Sequence, residues 1–225
     1  MAAVLKSLYW ILLLSESRPL KEGINAVVSG NIGRAFSDGV LSTQDEKRDT
    51  MLVTEVSSFQ LESIEDFRPH IGAILNISRD HMDRYPSMRE YIEAKYMITH
   101  NQNEDDFLVL NADDPICMKA AEDSVAQIRT FSMNQEVEEG AYVSGDTIYL
   151  KEEGESIPFC KVEDVPMPGR HNVENTLASL TLSRCANISM DSLRKTLRKF
   201  KGVEHRIEFV AKSKEGVHFY NDSKA

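Results

Sequence analysis

Five groups of polar residues stand where they could do chemistry. Glu55 closes an apolar run in Thr54-Glu55-Val56-Ser57-Ser58. A carboxylate at a strand's carboxyl end can take a divalent cation that also holds phosphate oxygens; its structural alternative is a solvated strand-end acid. His81 sits beside Asp80 and near Asp83. An imidazole among carboxylates suits a metal ligand or a general base, and equally an exposed loop. Lys95 falls on the apolar stripe of a helical pattern, where a cation must snorkel, meet an anion or lose its charge. Gly169-Arg170-His171-Asn172-x-x-Asn175 places two carboxamides three apart on one helix face, able to meet a base or phosphate unless Asn172 merely caps the helix. Near the carboxyl end, Arg206 and Asp222 flank two strand patterns and could hold phosphate and ribose hydroxyls, or form a surface ion pair.

The elements that must position these groups alternate in kind. Short apolar runs at residues 26–28, 51–53, 71–75 and 107–110 predict strands, and polar clusters follow three of them: Glu55, then Asn76 with Asp80, His81 and Asp83, then Asn111, Asp113 and Asp114. Strands alternating with helices predict an α/β fold, a mostly parallel sheet flanked by helices, with ligands at the strands' carboxyl ends. Ser87-x-x-Glu90 predicts a capped helix whose stripe runs through Met88, Tyr91, Ile92 and Ile98. Residues 141–144 and 147–150 around Gly145-Asp146 predict a hairpin, with residues 157–162 as a third strand of a small antiparallel β insertion. Pro166, Pro168 and Gly169 lead into a helix over residues 172–185; Met190, Leu193, Leu197 and Phe200 mark another, and residues 207–210 and 217–220 two closing strands. The polar run 42–50 reads as an exposed connection.

Composition narrows the classes. The 225 residues suffice for one generous domain, and 41% hydrophobic with 28% charged is an ordinary globular profile. A formal net charge of -10 repels a nucleic-acid backbone, so no nucleic-acid partner is expected. Cys117, Cys160 and Cys185 are odd in number and form no CxxC, which suits buried reduced thiols in a cytoplasmic protein. The apolar run 8–14 (LYWILLL) is too short to span a bilayer and no small-x-small cleavage site follows it, so no membrane partner is expected.

Taken in order, the blocks TEVSSFQLES, ILNISRDHMDRY, YIEAK, FLVLNADDP, GRHNVENTLAS, GVEHRIEFV and YNDSKA resemble the central, ATP-handling domain of the Mur ligases, and EVSSFQLE and NDSKA the D-glutamate-adding branch. The similarity runs over residues 21–225, with residues 1–20 unmatched. It implies a P-loop-NTPase-like fold and a ligase that phosphorylates the terminal carboxylate of UDP-N-acetylmuramoyl-L-alanine with ATP and Mg2+. D-glutamate then displaces the phosphate, a step of peptidoglycan synthesis. By the resemblance, Glu55, His81 and Lys95 match metal-site positions, Lys95 being a lysine the family carbamylates. Asn172, Asn175, Arg206 and Asp222 match ATP contacts; Asn31, Ser57 and Lys224 match the muramoyl-alanine and acyl-phosphate site. His81, Lys95 and Lys224 are the matched catalytic positions.

The family's phosphate-binding loop ends in Gly-Lys-Ser/Thr, and this sequence contains no Gly-Lys dipeptide. The family's uridine-binding and carboxyl-terminal domains are likewise unmatched. The chain alone is therefore expected not to complete the ligation, a further chain supplying those parts is a conceivable partner, and a non-catalytic nucleotide- or Mg2+-binding module is the alternative. A metal-dependent phosphate-ester hydrolase on Asp80, His81 and Asp83 is the third chemistry open to the sequence.

Overall fold

The computed structural model describes residues 25–31, 34–43, 50–200 and 208–221. The run 8–14, most of the connection 42–50, and Arg206, Asp222 and Lys224 lie outside the described residues.

Three sheets are formed among those residues. Strand β1 (Asn25–Gly30) pairs parallel with β2 (Thr50–Glu55), the short helix α1 (Phe36–Leu41) lying between them in sequence. After a one-turn helix α2 (Ser58–Leu61), a six-stranded sheet begins with β3 (Ile71–Ile74). It continues with α3 (Met88–Tyr96), β4 (Phe107–Asn111), α4 (Pro115–Lys119), β5 (Gln127–Ser132), β6 (Gly140–Ser144), β7 (Thr147–Glu152) and β8 (Glu155–Lys161). The order is β3-β4-β5-β6-β7-β8, parallel as far as β6 and antiparallel beyond it. Helices α5 (Arg170–Cys185) and α6 (Met190–Lys199) and the antiparallel pair β9 (Glu208–Lys212) and β10 (His218–Asn221) follow.

The α/β expectation holds, and the predicted hairpin and third strand are β6, β7 and β8. They are antiparallel to one another, and β6 joins them to the parallel sheet. β5 and α4 were not anticipated.

β4 is the centre of the molecule. Leu108, Val109 and Leu110 are all fully buried, which requires cover on both faces. Val109 packs with Phe131, Leu177 and Leu180 on the α5 side; Leu108 and Leu110 pack with Tyr91, Ala94 and Cys117 on the α3–α4 side. α5 is buried almost all round despite its Ser, Thr and Asn residues. Three of its hydroxyls bond within the helix: Thr176 Oγ1 donates to Asn172 O at 2.8 Å, Ser179 Oγ to Asn175 O at 2.7 Å and Thr181 Oγ1 to Leu177 O at 2.9 Å, while Ser183 Oγ has no partner among the described residues.

β2 and β3 do not pair. An apolar cavity of about 240 Å3 lies between them, lined by Val53, Ile71, Leu75, Ile98 and Leu182. Ile98 and Leu182 belong to the cores on opposite faces of β3, so the cavity passes through the plane of the sheet. Among the described residues no helix is long and apolar enough to cross a membrane. The three cysteines are free; burial pushes Cys160 and Cys185 up to about 12 and Cys117 higher still, so none is a ready nucleophile.

Candidate functional site

β1 and β2 end together, with Gly30 opposite Glu55. Gly30 has φ 113, and a Cβ there would overlap the carbonyl oxygen of Glu55, so only glycine lets the two strand ends approach. Asn31 then turns back, its N–H donating to Glu55 O at 2.8 Å and its Nδ2 to Glu55 Oε1 at 3.2 Å. The Glu55 side chain is buried, at 5% exposure, and its Oε2 has no hydrogen-bond partner among the described residues. A buried carboxylate oxygen without a partner is costly, and a cation or a donor from a ligand would satisfy it.

The chain after β3 supplies the next groups. Asn76, Asp80 and His81 join Asn31, Glu55, Ser57 and Lys95 around a polar pocket of about 50 Å3. His81 adopts φ 56, the left-handed region that few non-glycine residues enter. Its ring lies between two aromatics, 5.0 Å from Phe59 and 6.1 Å from Tyr91. Ser57 borders the pocket while capping α2: its Oγ accepts from Gln60 N, and Gln60 Oε1 accepts from Ser57 N at 2.9 Å.

α3 brings Lys95. Ser87 caps the helix by accepting from Glu90 N at 3.3 Å, as its sequence predicts. The predicted stripe turns Tyr91 inward, and Lys95 follows one turn later with its Nζ 5.0 Å above the Tyr91 ring. Among the described residues no carboxylate forms an ion pair with it. Burial lowers its pKa, while the charges of Cys117, Asp80 and Glu55 oppose that shift. A buried amine with a lowered pKa spends more time unprotonated and is more reactive toward electrophiles.

The structure therefore gathers Asn31, Glu55, Ser57, His81 and Lys95. Asp83 is exposed and outside the pocket, which removes one arm of the hydrolase reading. The third strand-end cluster is structural: Asp114 accepts from Ile116 N and Ile77 N, both at 2.9 Å, and Asp113 accepts from Ser132 Oγ and Met133 N. Asn172 and Asn175 lie one turn apart on α5, at 0% and 3% exposure, away from the Glu55 pocket. Asn172 does not cap α5, because Gly169 occupies that position with φ 108 and Asn172 Nδ2 donates instead to Pro168 O at 2.7 Å. Its Oδ1 and the Nδ2 of Asn175 have no partner among the described residues. Phe59 is the neighbour to which the sequence assigned no role; Asn76 was read as part of the strand-end cluster after β3 and Tyr91 as part of the helix stripe, and both border the pocket.

The donor set suits a hard cation. No three His, Cys, Asp or Glu side chains converge in a metal cage among the described residues. Mg2+ keeps several waters and relies on one or two carboxylates with phosphate oxygens, so Glu55 Oε2 at the pocket wall fits it.

The model for the Mur ligase middle domain matches residues 38–183. This chain belongs to the Mur ligase family. A UDP-N-acetylmuramoylalanine–D-glutamate ligase of Caldanaerobacter subterraneus subsp. tengcongensis is 43% identical over 202 residues, covering 90% of this chain and 43% of the relative. The proteins of the same name from Koribacter versatilis and Acidobacterium capsulatum are 43% and 44% identical, over 90% and 88% of this chain and 44% and 42% of theirs. The chain thus spans less than half the length of these curated Mur ligases. Among solved structures, a UDP-N-acetylmuramoyl-L-alanyl-D-glutamate–2,6-diaminopimelate ligase superposes with a TM-score of 0.69 at 21% identity, over 92% of this chain and 46% of that one. The Thermotoga maritima MurF ligase in complex with ADP gives 0.66 at 16%, over 96% and 50%. The Mur ligase fold is shared across that sequence distance.

Proposed function

We propose that this chain is the ATP-handling part of a ligase that joins D-glutamate to UDP-N-acetylmuramoyl-L-alanine in the cytoplasm. The observation that carries the reading is the convergence of Glu55, His81 and Lys95 on one polar pocket, with a buried carboxylate oxygen unsatisfied among the described residues. The reaction has two steps. A carboxylate oxygen of the muramoyl-alanine attacks the γ-phosphorus of ATP, forming an acyl phosphate and releasing ADP. The amine of D-glutamate then attacks the acyl carbon, loses a proton and expels phosphate.

Bound Mg2+ would neutralise charge on the transferred phosphoryl group. Glu55 and His81 would hold it, and Lys95 would join them once carbamylated, its cation exchanged for an anion beside the metal. Asn31 fixes Glu55 through its carboxamide, and Ser57 shapes the pocket mouth. The oxygen of Asn172 and nitrogen of Asn175, unpaired among the described residues, would offer an acceptor and a donor to the nucleotide. Arg206 and Asp222 complete the nucleotide contacts in this reading, and Lys224 the acyl-phosphate contacts.

Calorimetry with Mg-ATP tests the reading: saturable heat that falls at least tenfold in affinity in Glu55→Gln supports it, and no heat at millimolar nucleotide overturns it. A second reading, a nucleotide- and Mg2+-binding module without turnover, is favoured by the absence of any Gly-Lys dipeptide. The chain alone is then expected to bind Mg-ATP without releasing ADP when D-glutamate and the UDP precursor are added.

A further inference from the structure

We infer that Asp80 is a positioning residue, holding His81 in its left-handed conformation and thereby aiming the imidazole into the pocket; this rests on the proposed metal and phosphoryl role of that pocket. Three observations meet at this residue. His81 is one of only three non-glycine residues with positive φ among those described, and the other two, Glu153 and Asn187, lie far from the pocket in sequence. The Asp80 carboxylate meets His81 at two points: Oδ1 accepts from the His81 N–H at 2.8 Å, and Oδ2 lies near the ring, 3.7 Å from His81 Nε2 and beyond hydrogen-bonding distance. The strained backbone is clamped from the other side, since His81 O accepts from both Arg84 N and Tyr85 N at 3.0 Å.

A left-handed, non-glycine residue persists only where its surroundings over-determine it. Here the amide cap supplies that on the amino side and the two carbonyl hydrogen bonds on the carboxyl side. The ring consequently emerges between Phe59 and Tyr91, facing the lobe that holds Glu55 and Lys95. Released from Asp80, residue 81 would relax toward the ordinary right-handed or extended regions, and the ring would leave its aromatic slot. Asp80 would thus act through His81 and need not touch the metal.

The test uses the full chain and three variants, with folding verified by circular dichroism. In the metal-free protein, NMR contacts between the His81 ring protons and the Phe59 and Tyr91 rings are expected in the unmodified chain. Asp80→Asn keeps an oxygen acceptor for the amide and should retain them; Asp80→Ala should lose them. Asp80→Ser, which can accept from the amide but cannot reach the imidazole, serves if the alanine variant does not fold; it should retain the backbone geometry and weaken the ring contacts. Pulsed EPR with Mn2+ alone then reads the metal side. Coupling to an imidazole nitrogen should appear in the unmodified chain and Asp80→Asn, and vanish in Asp80→Ala with about a tenfold loss of affinity. Ring contacts that persist in Asp80→Ala overturn the inference. So does an Asp80→Asn variant that keeps those contacts yet loses Mn2+, because Asp80 is then a ligand. Absence of Mn2+ binding by the unmodified chain sinks the metal reading instead, and the metal-free contacts still decide the role of Asp80.

Discussion

Gly30 and Glu55 are register partners at the carboxyl ends of two parallel strands, and the backbone of one fills the space a side chain on the other would need. The carboxylate of the candidate site is therefore set by a glycine on the neighbouring strand. Gly30→Ala adds a clash to a φ of 113 that alanine rarely adopts. It is expected to cost about 1–3 kcal/mol, a range typical of a strained backbone position, and to weaken Mn2+ binding. Chemical denaturation and a Mn2+ titration check the two effects; unchanged stability would show that β1 shifts freely past β2.

Phe131 tests the strand that sequence patterning did not reveal. It is 2% exposed on β5 and packs in the core shared by β4 and α5. Phe131→Ala should destabilise by about 3–5 kcal/mol, the usual range for deleting a buried aromatic. Urea denaturation reads this directly, and a change below about 1 kcal/mol would place Phe131 in a site that collapses easily.

The reasons some features were legible and others not are local. Strands β2, β3 and β4 announced themselves as apolar runs because sheets covered on both faces need little polar alternation. β5 did not: Gln127, Arg129 and Thr130 interrupt it, and its inward residues Phe131 and Ser132 come only at its end. Lys95 was readable because helical spacing places it on the stripe of Tyr91. The cluster Asn111-Asp113-Asp114 looked like the other strand-end clusters, yet its carboxylates are consumed by loop and helix-cap hydrogen bonds. Residue type cannot separate an acid that holds a loop from one that awaits a ligand; the unpartnered Oε2 of Glu55 does. The left-handed backbone of His81 had only a weak signal in residue identity, since Gly adopts that conformation most readily and His, though enriched there with Asn and Asp, adopts it seldom.

Lys95 should carry a measurable cost. Its folded-state pKa is lowered by burial, so folding penalises the charged form. The penalty is fully present below the folded pKa and is relieved as pH rises through that value toward the unfolded 10.5. Lys95→Met, which keeps the length without the charge, is expected to stabilise the chain by roughly 1 kcal/mol at pH 7. The gap should shrink as pH approaches 10. Thermal denaturation of both proteins from pH 7 to 10 measures it; a methionine variant less stable at pH 7 would mean that the ammonium has found a compensating anion.

Asp106 gives the opposite pH signature at the other end of the sheet. Its side chain is fully buried and accepts from Arg68 Nε at 2.7 Å, from Asn103 N at 2.9 Å and, with Nδ1 as the donor, from His70 at 2.9 Å. Burial alone would raise its pKa, but the hydrogen bonds from Arg68, Asn103 and His70 outweigh that and hold it at about 2, below the ordinary 3.8. A carboxylate depressed on folding contributes stability that is complete above the unfolded value and lost as pH falls through the folded one. Acid should therefore erode stability from about pH 4 downward to about pH 2. Asp106→Asn should flatten that part of the profile. Asp106→Ala, which leaves Arg68 and the Asn103 N–H without their acceptor, should cost about 3 kcal/mol at neutral pH. A pH series of urea midpoints between 2 and 7 separates the two effects. If the asparagine variant reproduces the wild-type slope below pH 4, other carboxylates govern the acid limb and the Arg68–Asp106 knot is not what anchors β3 to β4.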